Sequence, residues 1–320
     1  MSTYLVTGAA GFIASHTCEA LLKSGHRVIG IDNFDPFYSR ELKEANLVAI
    51  RKAGSDFIFY EGDLADAEFV KMVFEKEQPE TIIHLAAKAG VRPSIEDPAG
   101  YVRANILATQ ILFNQSTASG VKRFVMASSS SVYGNAPTVP FSETQDVNQP
   151  ISPYAATKRA CELIAYTHNH LTKLPIACLR FFTVFGPRQR PDLAIQKFLK
   201  LVSEEKPIPF FGDGSTSRDY TYIDDIVKGI LSAADHIDQY GYRIWNLGGS
   251  SPVSLSEMVS TIGEVVGKEP ILDKKPMQPG DVERTYADLT RSEKELGYKP
   301  TTSFKDGVKK QWEYLQSLTK

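Results

Sequence analysis

Short runs of apolar, often β-branched residues alternate with longer stretches in which apolar positions recur every three or four residues. The short runs predict strands at Tyr4–Thr7, Arg27–Asp32, Phe57–Asp63, Thr81–Ala87, Arg123–Ser128 and Ile176–Phe182. Helical periodicity fills Glu68–Glu77 and Ala104–Gly120 between them. Strand, helix, strand at this rhythm predicts an α/β fold, a doubly wound parallel sheet with helices on both faces. The near-continuous apolarity of the strands agrees, because parallel strands bury both sides. Beyond about residue 183 the rhythm loosens into Pro-, Gly- and Arg-rich loops. Within that region Tyr222–Ile237 and Arg243–Gly249 predict a further helix and strand that return to the first sheet.

Composition narrows the function classes. The chain has 320 residues, enough to bury roughly three quarters of its unfolded surface without a staple. Its net charge of −2 gives no electrostatic case for nucleic acid or an acidic membrane surface. The three cysteines (Cys18, Cys161, Cys178) have no CxxC spacing and read as buried thiols in a reducing, cytoplasmic setting. The amino terminus lacks a basic, apolar leader, and no run approaches the length of a membrane span. No His/Cys/Asp cluster has metal-ligand spacing, so no metal is expected.

Candidate chemistry begins at "VTGAAGFIAS". Gly8 and Gly11 follow the first strand and open the first helix, with Ala14 where a third glycine often stands. In that context the pattern predicts a Rossmann-type dinucleotide site, where backbone N–H groups meet a pyrophosphate at the positive end of a helix. Asp32 ends the second strand, placed to accept the hydroxyls of the adenosine ribose and to repel a 2′-phosphate, which favours NAD over NADP. Asp63, at the end of the third strand, is placed at the adenine edge.

A second motif is "SPYAATK". Tyr154 and Lys158 lie four apart at the start of a helix and share one face, with Ser152 suited to the N-cap and Pro153 to the first turn. A free phenol ionises near pH ~10, and a nearby ammonium stabilises the phenolate enough for acid–base work. A lone YxxxK is common by chance; its place behind a dinucleotide motif gives it weight.

The segments "TGAAGFIAS", "HLAAKAGV", "SSSSVYG", "SPYAATK", "RFFTVFGP" and "RDYTYIDDI" follow in the order seen in extended short-chain dehydrogenases/reductases that act on nucleotide sugars. Over essentially its whole length the chain resembles this NAD-dependent epimerase/dehydratase family. "NFDPFYSRELKEANL", "AGVRPSIEDPAGYVRANI" and "RFFTVFGPRQRPDLA" are most similar to members acting at C4 of UDP-glucuronate. The resemblance implies residues 1–182 with about 222–249 as the NAD-binding unit, and 183–221 with 250–320 as a smaller substrate-binding lobe. It implies Ser129, Tyr154 and Lys158 as catalytic residues and a transient 4-keto sugar. Cofactor contacts carried over by position are Gly8, Gly11, Phe12, Ile13, Asp32, Asn33, Asp63 and Leu64. Further along the chain they are Leu85, Ala86, Ala87, Lys88, Asn105 and Phe181, together with Tyr154 and Lys158.

For the UDP-sugar, Arg218 matches a diphosphate-binding arginine, Asp281 a ribose contact and Phe211 the uracil site. Arg190 and Arg92 are candidates near the hexose, whereas Arg188 reads as a solvated loop charge. Related dehydratases and uronate decarboxylases carry an acid just before "VYG"; here Ser130 and Ser131 stand there. With Thr183 they are expected to donate to a C6 carboxylate, and Ser128 to face the cofactor. That favours epimerisation of a UDP-hexuronic acid over a UDP-glucose or UDP-N-acetylglucosamine 4-epimerase, and over decarboxylation or dehydration. A homodimer is implied, packed through the Asn105 and Tyr154 helices as a four-helix bundle.

Overall fold

The computed structural model describes residues 1–276 and 283–318. In the first half, strands and helices alternate as β1 (Thr3–Thr7), α1 (Phe12–Lys23), β2 (Arg27–Asp32), α2 (Arg40–Ala53), β3 (Phe57–Glu61), α3 (Ala67–Glu77) and β4 (Thr81–His84). Two short helices, α4 (Val91–Glu96) and α5 (Pro98–Tyr101), lead through a π-helical turn at Val102–Leu107 into α6 (Ala108–Ala118). Then come β5 (Arg123–Ser129), a 3₁₀ turn at Ser130–Tyr133, α7 (Pro153–Thr172), β6 (Ile176–Phe181) and β7 (Thr183–Phe185). The remainder comprises α8 (Ala194–Ser203), β8 (Ile208–Phe211), β9 (Ser217–Tyr222), α9 (Ile223–His236), β10 (Tyr242–Leu247) and β11 (Pro252–Ser254). It closes with α10 (Leu255–Val266), β12 (Leu272–Lys275), α11 (Thr290–Leu296) and α12 (Phe304–Ser317).

Seven parallel strands form the main sheet in the order β10-β6-β5-β4-β1-β2-β3. Neighbouring residues alternate between its faces. Leu5, Ile82 and Phe124 enter the cluster packed by α3, α6 and α7, whereas Val6, Ile83 and Val125 enter the one packed by α1 and α9. Strand order reverses between β1 and β4, which places a ligand crevice beyond their carboxyl ends. Two small sheets, β11-β9-β7 and β12-β8, lie outside this one.

Local chemistry sets the element ends. The Ser152 hydroxyl accepts the Ala155 N–H at 3.1 Å and Pro153 opens α7, so the helix begins where Tyr154 stands in its first turn. The strand expected to run to Ala87 stops at His84 because Thr7 Oγ1 accepts the N–H groups of both Leu85 and Ala86, at 3.2 and 3.1 Å. A side chain has replaced the ladder there, and the chain is freed to line the crevice. Helix α2 was not among the expected elements; its buried stripe holds only Lys43, Asn46, Leu47 and Ile50, too polar for its periodicity to stand out. All three cysteines are buried.

Candidate active site

A cleft of about 620 Å³ opens at the reversal point. Gly8 forms its floor with φ +72°, a left-handed conformation that suits glycine. A Cβ on Gly8 would lie 3.0 Å from both the Cα and the N of Ala86, so the turn and the β4 loop approach as closely as bare backbone allows. The Gly8 N–H donates to Ile31 O at 2.7 Å and the Gly11 N–H to Gly8 O at 2.8 Å, closing the turn. Gly11 caps α1 with no side-chain hydrogen bond, so the first N–H groups of this helix are left for a ligand. Backbone approach and an uncapped positive helix end suit the pyrophosphate of a dinucleotide. Phe12, Ile13 and Ala14 line the same wall.

Asp32 stands at the end of β2, nearly buried, accepting N–H groups from Ala10 at 3.2 Å and Phe34 at 2.8 Å. Burial pushes its pKa up, against the pull of those donors and of the Lys43 charge. Asn33 lines the cleft beside it. Asp63 lines the far end with Leu64 and is ion-paired to Arg103 at 2.6 Å. The loop after β4 contributes Leu85, Ala86, Ala87 and Lys88.

Asn105 is placed differently from the cofactor contact expected of it. It is buried and outside the cleft lining; its side-chain oxygen accepts the Lys88 N–H at 2.8 Å, and its amide donates to Lys88 O and Thr157 Oγ1, both at 3.0 Å. It fastens the β4 loop to α7. The same loop is held from below by a buried chain in which His84 Nδ1 meets Thr7 Oγ1 at 2.7 Å and His84 Nε2 meets Thr109 Oγ1 at 3.0 Å. Burial, then the Lys158 charge, lowers the His84 pKa to about 3, so the imidazole is neutral.

Ser129, Tyr154, Lys158, Phe181 and Thr183 all line the cleft. Lys158 is 5% exposed and donates from Nζ to Ala127 O at 2.8 Å, which aims it along the carboxyl end of β5. The Ser129 hydroxyl accepts the Ser131 N–H at 3.1 Å and donates to Ser131 Oγ at 3.1 Å, so its orientation is fixed. Tyr101 was missed from sequence. It is buried and lines the cleft, with its ring edge-on to Tyr154 at 6.2 Å.

Several other expectations need correction. Ser128 lines the cleft as expected, but its hydroxyl proton is engaged elsewhere: it donates to Glu162 Oε1 at 2.6 Å. Ser130 and Ser131 curl into the 3₁₀ turn, which takes them out of the cleft lining. Arg188 is not a solvated charge; it is mostly buried against α1, paired with Glu19 at 2.5 Å and donating to Ser15 Oγ at 3.1 Å. Arg190 lines the cleft, doubly bonded to Asp192 at 3.0 and 2.8 Å and lying over the Phe37 ring at 4.9 Å. Arg92, exposed on α4, is outside the lining.

The remaining nucleotide-sugar candidates flank the segment between β12 and Glu283. Phe211 pairs in register with Lys275, and Arg218 Nη1 donates to Ser217 O at 2.9 Å and to Glu283 O at 3.4 Å. Neither lines the cleft. Asp281 lies outside the described residues. Among the described residues no group of His, Cys, Asp and Glu is arranged to hold a metal ion, and no helix is long and apolar enough to cross a membrane.

Comparison with known proteins places this geometry. A family profile described as GDP-mannose 4,6 dehydratase matches residues 5–311. A UDP-glucuronate 4-epimerase of Thermodesulfobacterium geofontis is 42% identical over 97% of this chain and 95% of its own. A probable UDP-glucuronate 4-epimerase of Rhizobium meliloti is 39% identical over 95% and 94%. The crystal structure of Bacillus cereus UDP-glucuronic acid 4-epimerase in complex with UDP-glucuronic acid and NAD superposes with a TM-score of 0.92 at 36% identity, over 99% of each chain. That of Thermotoga maritima UDP-glucose 4-epimerase with UDP-glucose gives 0.90 at 32%, over 99% of this chain and 100% of the other. With a parallel sheet reversing at a glycine turn, and full-length relatives on both counts, the chain belongs to the nucleotide-sugar epimerase/dehydratase family described as GDP-mannose 4,6 dehydratase.

Proposed function

We propose that this chain is an NAD-dependent isomerase that inverts C4 of UDP-glucuronate to give UDP-galacturonate through a transient 4-keto sugar. The observation that carries the reading is that one cleft is lined by the Gly8 turn, Asp32, Ser129, Tyr154 and Lys158 together. Relatives of that name, some 42% and 39% identical over nearly full length, support the choice of substrate. NAD, when bound, supplies a two-electron acceptor and donor for C4. Gly8 and Gly11 would hold its pyrophosphate, Asp32 the adenosine ribose, Asp63 the adenine and Lys158 the nicotinamide ribose.

The chain's own residues do the proton work. Tyr154 takes the proton of the 4-hydroxyl and later returns it, with the Lys158 ammonium one turn away on the same face of α7. Ser129, its oxygen held by the Ser131 N–H, turns its proton from Ser131 Oγ to the 4-oxygen as charge gathers there. A 4-keto uronate is a β-keto acid and loses CO₂ easily. With serines instead of an acid at 130 and 131, no added charge stands near the C6 carboxylate to expel it, and Thr183, which lines the cleft, is a neutral donor for it. Arg190 and Arg92 are assigned to the hexose end, and Arg218, Phe211 and Asp281 to the diphosphate, uracil and ribose. An Arg fork suits a diphosphate better than a lysine would.

The division into an NAD-binding unit (1–182 and about 222–249) and a sugar-nucleotide lobe follows the same reading. We assign a cytoplasmic homodimer: Val102, Leu107, Leu163, Tyr166 and Leu171, along the π turn and α7, leave large apolar side chains exposed.

A second reading, a UDP-glucose 4-epimerase, is favoured by one observation: Ser130 and Ser131 do not line the cleft, so selectivity at C6 rests on fewer donors. Incubating the purified protein separately with UDP-glucuronate and UDP-glucose, with the products resolved by proton NMR, decides between them. Epimerisation of UDP-glucuronate at a kcat/KM at least tenfold higher supports the first reading; preference for UDP-glucose overturns it.

A further inference from the structure

Glu162 is a buried acid that the reaction above does not use. It lies one turn beyond Lys158 and two beyond Tyr154 on α7, so the three share one stripe. Its side chain is fully buried, and so, within 1%, is that of Arg180 on β6. Arg180 grips it with both prongs, Nε to Oε1 at 2.8 Å and Nη2 to Oε2 at 2.9 Å. Ser128 donates to Oε1 at 2.6 Å and Arg159 to Oε2 at 3.1 Å. On its other face the Arg180 guanidinium lies 4.8 Å from the Tyr133 ring centre.

A buried ion pair is a poor device for stability alone, since well-packed apolar residues of similar volume usually do as well or better. What a two-pronged pair adds is direction: it fixes both the separation and the orientation of the elements that carry it. The rung it fixes is informative. Ser128 and Arg180 face each other in the β5–β6 register, and the next rung pairs Ser129 with Phe181, both lining the cleft. One residue earlier, Ala127 O accepts Lys158 Nζ. Helix α7 is therefore fastened to consecutive residues of β5, by Lys158 at Ala127 and by Glu162 at Ser128, immediately before the rung that carries Ser129.

We propose that Glu162, through its pair with Arg180, is a positioning residue of the catalytic site: it sets the distance of α7 from the ends of β5 and β6, and so where Tyr154 and Lys158 stand relative to Ser129. It reaches neither the cleft nor the reacting atoms and acts through the helix. Burial raises its pKa, but Arg180, Ser128 and Arg159 more than offset that and hold the carboxylate below its ordinary range, so the clamp is charged.

The inference rests on the reading of Ser129, Tyr154 and Lys158 as the reacting centre, and its test separates the two. E162L alone strands a buried guanidinium and can fail to fold, so the informative variant is E162L/R180M, which removes both charges at similar volume. The matched control is E77Q. Glu77 is a buried acid bonded to Arg27 and Tyr60, each at 2.5 Å, and Arg27 begins β2 at the opposite end of the sheet. Tm, NAD bound per chain, kcat and KM are measured for each purified holoprotein on UDP-glucuronate and UDP-glucose.

The expected result for E162L/R180M is retained NAD, KM within about threefold of wild type, and kcat lower by roughly 10²-fold, the loss that a ~1 Å misplacement carries. E162Q, which keeps an acceptor for Ser128 and Arg180, falls between the two, and E77Q keeps wild-type kcat. The proposal is overturned if the double variant keeps kcat within about threefold of wild type, or if E77Q loses as much. Wild-type preference between the sugars tests the functional reading; the variant-to-wild-type ratio on the preferred sugar tests the clamp.

Discussion

Replacing Gly8 by alanine tests whether the glycine turn is built for close backbone approach to a cofactor. Two costs follow from the structure. At φ +72° an alanine pays about 1–2 kcal/mol for a left-handed backbone. Its Cβ would also meet Ala86 backbone atoms at 3.0 Å, and relieving that overlap moves the β4 loop at about 1–3 kcal/mol. The total is roughly 2–5 kcal/mol, and in a chain of this size that lowers Tm by about 3–7 °C. G25A isolates the second term: Gly25 has φ +79° but nothing within 4 Å of its Cβ position, so it carries only the conformational cost. Calorimetry should place G8A well below G25A, and NAD measured in the released supernatant should be lost from G8A alone. Equal Tm values with NAD retained in both would refute the close-approach argument.

Three further outcomes are expected. Y154F should lower kcat by about 10²–10⁴-fold while Tm and bound NAD stay unchanged, because only the proton-carrying group is lost; kcat within a few-fold of wild type would assign the proton to another residue. His84 should make the protein less stable in acid. Its folded pKa of about 3 lies below the ordinary value near 6.5, so the unfolded chain binds the proton first as pH falls, and stability is lost from about pH 6.5 downward. That is about 2 kcal/mol by pH 5, and urea melts of H84N should show that much less loss between pH 7 and 5 than wild type. S131E restores an acid before "VYG" and should release UDP-pentose and CO₂ from UDP-glucuronate; an unchanged product distribution, read by NMR, would mean the serines do not protect the carboxylate.

Much of the scaffold was legible because its signals are local. Parallel strands are apolar on both sides, Ser152 and Pro153 announce the start of α7, and the Gly8 turn needs its glycine whatever lies around it. The cleft drew together the residues of the two strongest motifs, Gly8 with Asp32 and Tyr154 with Lys158. What escaped depends on partners remote in sequence. Asn105 looks like a cofactor contact until Lys88 and Thr157 are seen to occupy its amide. Arg188 reads as solvated until Glu19, on the first helix, is brought to it. Ser128 and Ser129 both line the cleft and differ in their partners: Glu162 takes the hydroxyl proton of the first, and Ser131 holds the hydroxyl of the second. Glu162 itself had a signal in the sequence, a third polar residue on the Tyr154–Lys158 stripe, but its meaning required Arg180.

On the proposed function, one bound cofactor and the Tyr154 centre invert C4 without releasing anything from the sugar. This is tested most directly with UDP-glucuronate deuterated at C4, incubated with the purified protein and followed by NMR and mass spectrometry. The expected product is UDP-galacturonate that keeps its deuterium at C4, with no UDP-pentose. Washout of the label to solvent, or UDP-pentose and CO₂ as the main products, would contradict it.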